Sequence, residues 1–222
     1  GLAAAIEARL AGHEVLVVEP RIGVIDKACG EGLMPGTLVA LHRLGVDPAG
    51  HPLRGIAYRS PGRAVEHAFR AGPGRGVRRT VLHEALLGRA AELGVVHRPG
   101  RVESVRVENG LVVVGVGGAL PEGLVARRLL ACDGLHSTVR RLVGLDAPEP
   151  ARRARRYGLR RHVAMPPWTD LVEVHWGARA EAYVTPVSEE LVGIALLGRR
   201  GASFDETLAG FPELAGRIAG AP

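Results

Sequence analysis

Apolar residues recur along this chain at several spacings, and each spacing predicts a different element. From Leu2 to Leu10 strong helix formers dominate, with Ile6 and Leu10 on one face, so a helix is expected over 2–11 and ends at Gly12. Val15 to Val18 form an unbroken apolar run, the pattern of a buried parallel strand over 14–18. A loop over 20–35 and a helix over 36–44 follow. Residues 53–59 and 64–69 read as a strand pair split by Ser60-Pro61-Gly62. Leu82, Leu86, Leu87 and Ala90 give the apolar stripe of a helix over about 80–93. Strands 101–107 and 111–116 flank Asn109-Gly110, a dipeptide suited to the positive φ values of a two-residue hairpin. Leu129, Leu130 and Ala131 read as a buried strand that stops at Asp133-Gly134 and turns into a helix carrying Ser137, Arg140 and Arg141. Beyond 156 the spacing shortens to alternation, with runs at 171–176, 181–184 and 191–197. These predict an antiparallel sheet with one face left to cover a ligand. Ser203 with Glu206 forms a capping-box signature for a helix reaching about Phe211.

Composition narrows the class. A chain of 222 residues can bury a sizeable core. No apolar run approaches the roughly 20 residues of a membrane span, and nothing resembles a signal peptide. Cys29 and Cys132 lie in unlike segments, which predicts reduced thiols in a cytoplasmic protein, with Cys132 a small buried filler. The net charge of +6 raises the question of a polyanion partner, with Arg152, Arg153, Arg155, Arg156, Arg160 and Arg161 as the densest cluster. Aromatic residues make up 4% of the chain, too few for a base-stacking platform, and no recognition helix is apparent, so no nucleic-acid partner is expected. Such a cluster better suits a substrate mouth that attracts an acid or the phosphates of a nicotinamide. Among 29 basic residues Lys27 is the only lysine. It sits in DKACGEGL, where Gly30 and Gly32 point to a backbone pressed close to something. Lys27 is equally readable as an exposed loop residue.

Two segments carry candidate chemistry. An acid and a glycine at the carboxyl end of a strand stand where open α/β sheets bind ligands, which singles out Asp133 and Gly134. An Asp-Gly turn is also an ordinary way to leave a strand. At the amino end, a helix, a parallel strand and then Glu19 match the second half of a dinucleotide-binding βαβ unit. In such units an acid about 20 residues after the glycines takes ribose hydroxyls. Glu19 lies 18 positions after Gly1. Gly1 would then be the last glycine of the G-x-G-x-x-G loop.

GLAAAIEARLAG, DKACGEGLMPGTLVALHRLGVD, VRRTVLHEALLGRAAELGV and ACDGLHSTVRR, taken in this order, resemble FAD-dependent oxidoreductases of the para-hydroxybenzoate hydroxylase and geranylgeranyl reductase superfamily. The resemblance runs from Gly1 to about Leu197, and DKACGEGL is most like the reductase branch. It implies an α/β fold: a Rossmann-like FAD/NAD(P)-binding domain over 1–150, with a strand excursion at about 50–75. An inserted, mainly antiparallel β-sheet substrate domain would occupy 151–200, with a helical segment over 201–222. The implied cofactor contacts are Gly1, Glu19, Pro20, Arg21, Lys27, Gly30, Arg79, Val102, Cys132, Asp133 and Gly134, with Glu31 and Gly32 as further flavin or substrate neighbours. Trp176, Tyr183 and His162 are either pocket residues or core. The earlier glycines and a downstream glycine-aspartate motif of the family are not in the sequence, so a chain incomplete at both ends is expected.

The activity implied is an NAD(P)H-dependent flavin monooxygenase acting on a small organic or secondary-metabolite substrate, with NADH or NADPH as reductant. The alternatives are a geranylgeranyl-reductase-like reduction of prenyl double bonds and a non-catalytic nucleotide-binding domain. The cofactor would supply the chemistry, so no catalytic side chain is singled out. Metal-ligand spacing is lacking, and the oligomeric state is left open.

Overall fold

The structure, a computed structural model, describes residues 1–117, 120–146 and 156–221. In chain order the first elements are α1 (Leu2–Leu10), β1 (Leu16–Glu19), β2 (Gly32–Leu33), α2 (Pro35–Arg43), β3 (His51–Leu53), β4 (Gly55–Ser60), β5 (Arg63–Ala68) and β6 (Gly74–Gly76). Then come α3 (Arg79–Glu92), β7 (Val96–Pro99), β8 (Arg101–Glu108), β9 (Leu111–Gly117), β10 (Leu120–Ala126) and α4 (Thr138–Leu142). The last are β11 (Arg156–Ala164), β12 (Leu171–Trp176), β13 (Glu181–Ser188), β14 (Leu191–Arg199), α5 (Phe204–Leu208) and α6 (Pro212–Ile218). The chain divides into two compact units, Gly1–Ile25 with Leu86–Glu149 and Asp26–Ala85 with Pro150–Pro222. The division falls inside α3.

The first unit holds two small sheets. β1 and β7 pair in parallel, Leu16 opposite Val96 and Glu19 opposite Pro99. Parallel pairing needs a long crossover, here the chain between residues 19 and 96. α1 buries Ala5 and Ile6 and stops at Gly12, whose φ of +83° suits glycine. β8, β9 and β10 form an antiparallel meander. Its first turn is the expected Asn109-Gly110, both at positive φ (51° and 76°), as a type I′ hairpin requires.

The second unit is built on a six-stranded mixed sheet in the order β11-β14-β13-β12-β4-β5. Every neighbour is antiparallel except β12 with β4. Alternation sorts the side chains. Val163, Ala182, Val184, Val192, Ile194 and Leu196 face α5 and α6, where Leu208, Phe211, Leu214 and Ile218 close the core. On the opposite face, Val172 and Val174 pack with Leu53, Met34, Ile56, Phe69 and Tyr183. That side carries the three-stranded sheet β2-β6-β3.

Four expectations change. Leu129, Leu130 and Ala131 are not a strand: Leu130 is 65% exposed, and among the described residues no strand lies beside them. A strand exists only through a hydrogen-bonded neighbour, which an apolar run does not supply by itself. Cys132 is likewise exposed, not a buried filler. β1 is half-buried instead of fully buried, because β7 is its one partner among the described residues. The short β2, β3 and β6, together with β7, β10 and β11, were not foreseen as named strands. The expected pair of β4 and β5 forms, and β12 joins it to the large sheet.

Candidate functional site

In the first unit the dinucleotide-type residues gather around two turns. Glu19 ends β1, and its carboxylate accepts from Arg21 twice over, from Nε at 2.8 Å and Nη2 at 3.0 Å, as well as from the Arg21 amide. That hydrogen bond raises the Arg21 guanidinium above its ordinary pKa. Pro20 between them is exposed. Gly1 caps α1 through its carbonyl, and a side chain placed there would stand 3.5 Å from the Cys132 Cβ. The free amides at the start of α1 and the stretch 132–134 are therefore neighbours, an arrangement that suits an anion.

Asp133 is occupied within its own turn. Its carboxylate accepts from the Ser137 hydroxyl and, at 3.0 Å, from the Val139 amide. Ser137 in turn caps α4 by accepting from the Arg140 amide, while the Arg140 guanidinium binds the Leu135 carbonyl and Asp146. Burial raises the Asp133 carboxyl, but the Ser137 and backbone donors outweigh it and hold the group below the usual carboxylate range. Gly134 has φ +83°, which only glycine adopts without strain. The pair thus fixes the shape of the loop instead of offering a free carboxylate. Asp133→Ala is expected to speed amide exchange at Val139 and Arg140 about tenfold, the value of a hydrogen bond to a charged acceptor. Asp133→Asn should recover part of the protection, and residue-resolved exchange measures both. Val102 is half-buried in β8, opposite Val116 of β9.

In the second unit the centre of the polar network is Glu31. It is 4% exposed and lies between Gly30 and Gly32 with φ +58°, a conformation that bulky residues rarely adopt. Its carboxylate accepts from the Arg79 amide at 2.8 Å and from Arg160 Nη1 at 2.9 Å. His162 Nε2 stands 2.7 Å from the other oxygen. Residues 160 and 162 share one face of β11, with Gly193 of β14 directly opposite His162. A side chain at 193 would sit 2.7 Å from Glu31 Oε2, so that glycine leaves room for the carboxylate. The Glu31 carbonyl accepts from Val77, and the Gly30 carbonyl from the Thr185 hydroxyl at 2.7 Å.

Arg160 also binds both oxygens of Asp26 and holds that acid below its usual range. Burial opposes the Arg160 cation, yet Asp26 and Glu31 outweigh it and raise its pKa. Lys27 is exposed, and its carbonyl accepts from Arg160 at 3.4 Å. Gly32 is pressed against Val172, 3.2 Å from a would-be Cβ, whereas Gly30 has nothing within 4 Å. The close approach to protein is therefore at Gly32, while the space over Gly30 is open to other groups. Arg79 opens α3 half-buried.

The described arginines of the cluster do not form a free basic patch. Arg152, Arg153 and Arg155 lie outside the described residues, while Arg156 pairs with Glu181, Arg160 with Asp26 and Glu31, and Arg161 with Asp205. Tyr183 donates to Glu181 at 2.7 Å, and the exposed Trp176 and Tyr58 rings meet at a 49° tilt with centroids 5.5 Å apart on the same sheet face. The Glu31 partners were not legible as a set. The one local signal was an acid between two glycines.

No family model matches the chain. It is 33% identical over 159 residues to 12-dehydrotetracycline 5-monooxygenase/anhydrotetracycline 6-monooxygenase of Streptomyces rimosus, covering 67% of this chain and 31% of that protein. Among solved structures it is similar to the flavin-dependent halogenase CmlS, with TM-score 0.84 and 18% identity, over 100% of this chain and 46% of that one. A geranylgeranyl bacteriochlorophyll reductase-like protein of Thermoplasma acidophilum gives TM-score 0.78 and 20% identity, over 99% and 59%. The fold, α/β with mixed and antiparallel sheets, is like that of these two solved structures. The chain spans between 31% and 59% of the length of these relatives.

Proposed function

We propose that this chain is part of an NAD(P)H-dependent, FAD-dependent monooxygenase acting on a small organic or secondary-metabolite substrate. The observation that carries the reading is the parallel β1–β7 pair ending at Glu19, with the α1 amino terminus beside Cys132 and the Asp133-Gly134 turn. The sequence likeness to a tetracycline monooxygenase supports it. In this reading the first unit belongs to a Rossmann-like FAD domain. Glu19 takes the ribose hydroxyls, and the α1 amides with Gly1 face the pyrophosphate. Asp133 and Gly134 shape the loop beside it, with Pro20, Arg21, Val102 and Cys132 alongside. In the second unit Lys27, Gly30 and the Arg79 guanidinium are the flavin contacts. The sheet face with Trp176 and Tyr58 is the substrate side.

When bound, FAD supplies redox chemistry that no side chain can perform. The protein's own residues hold the ribose, fix loop shapes and keep the buried cations paired. Exposed thiols at Cys29 and Cys132 accord with a cytoplasmic protein. Among the described residues no helix is long and apolar enough to cross a membrane.

Glu19→Ala is expected to weaken FAD binding about tenfold or more, as loss of hydrogen bonds to a charged acceptor implies. Titration by flavin fluorescence measures it, and unchanged affinity removes Glu19 from the site. A full-length protein that takes up no FAD defeats the flavoenzyme reading. The likeness to a reductase-like protein keeps prenyl reduction as a second reading. Substrate-dependent O₂ uptake after flavin reduction separates the two.

A further inference from the structure

We infer that Glu31 is a positioning residue: it fastens the 26–31 loop and the first turn of α3 to β11, and so sets where the Arg79 guanidinium stands. This deepens the flavin reading and rests on it for the role of Arg79.

The geometry gives Glu31 no surface with which to meet a ligand. Its carboxylate is buried, and its two oxygens take the Arg79 amide, Arg160 and His162. The first of these matters most. The leading amides of a helix lack intrahelical partners, and an anion there both accepts a hydrogen bond and meets the positive end of the dipole. α3 receives that anion from 48 residues earlier in the chain, and the residue capped is Arg79 itself. The backbone of the same glutamate accepts from Val77, two residues before Arg79. On the loop side, the Gly30 carbonyl is tied to Thr185 and the Lys27 carbonyl to Arg160. One buried side chain therefore joins three segments that local sequence leaves independent. The positive φ at Glu31 is held by this closure, since strained backbone persists only where its surroundings over-determine it.

A Glu31 side chain acting through Arg79 and one merely supporting the fold differ in two readouts. Wild type, E31Q, R79A and the double variant are compared by residue-resolved hydrogen exchange and by FAD titration. E31Q is expected to raise exchange about tenfold at Arg79 and across residues 29–31, while β13 and β14 keep wild-type protection. G193A, whose methyl intrudes on Glu31 Oε2, should reproduce that pattern with Glu31 intact. E31Q and R79A should each weaken FAD about tenfold, and the double variant should be no more than about twofold weaker than R79A alone, the mark of two groups acting as one. Unchanged exchange at Arg79, a uniform rise throughout the chain, or additive losses of FAD affinity each overturn the inference. A wild-type protein that takes up no FAD overturns the flavin reading, and the exchange pattern then decides the fastening by itself.

Discussion

Gly76→Ala is expected to destabilise the second unit by about 3 kcal/mol or more, the upper end of what overpacking a tight interior costs. A methyl group at 76 would fall 1.6 Å from the Pro186 carbonyl oxygen and 3.1 Å from Thr185 Cγ2. The obstacle is backbone within β13, so no rotamer change relieves it. The chain beside β6 is equally close, since a side chain at Gly50, next to the β3–β6 pairing, would meet the Gly76 oxygen at 2.2 Å. Gly76 does not have positive φ, so the glycine is required for space and not for conformation. Urea unfolding measures the loss. Gly88→Ala is the control, because it lies in α3 with nothing within 4 Å of the added methyl and should gain roughly 0.5–1 kcal/mol. Equal behaviour of the two variants would refute the packing account of Gly76.

Phe211→Ala is expected to cost about 3–5 kcal/mol, the range for a buried phenylalanine truncated without collapse of its site. The ring stands between α5 and α6, edge-on to His175 with centroids 6.4 Å apart, and presses on Gly177 of the turn after β12. It belongs to the main core, and its carbonyl also accepts from Ala215 at the start of α6. On the same sheet face lies Glu173, 2% exposed, which binds Arg59, His175 and the Trp168 indole. Burial raises this carboxyl, but His175 and Arg59 outweigh it and leave it below its usual range. Removing the Phe211 ring opens one side of the charged cluster to water as well as leaving a cavity. Phe211→Leu should cost less than about 1.5 kcal/mol if volume is what matters. Thermal melts of the two variants compare them directly, and equal losses would point to the ring's contact with His175 instead.

Wherever a feature is local, the sequence was a good guide. Asn109-Gly110 dictates its hairpin because only such residues accept two successive positive φ values. Ser203 and Glu206 form the reciprocal cap that their spacing allows. Pro61-Gly62 turns β4 into β5, and the apolar stripe of α3 runs within one residue of its expected limits. The parallel pairing of β1 was implied by the helix before it and Glu19 after it.

What the chain could not announce is anything that depends on a partner far along it. An apolar run at Leu129–Ala131 has strand composition, yet composition supplies no hydrogen-bonding neighbour, and the segment stays irregular and exposed. β4 was legible as one strand of a pair with β5, and only β12, more than 110 residues later, makes it an interior strand of the large sheet. Arginines that looked like a basic patch became ion-pair partners once folding brought Asp26, Glu31 and Glu181 to them. Glu31 is the sharpest case. By itself the sequence determined that an acid would sit between two glycines, free to take an unusual backbone angle. Tertiary structure alone decided that this acid would turn inward to cap α3 and meet β11. Burying a carboxylate is tolerable only where enough donors converge on it, and these come from positions 79, 160 and 162.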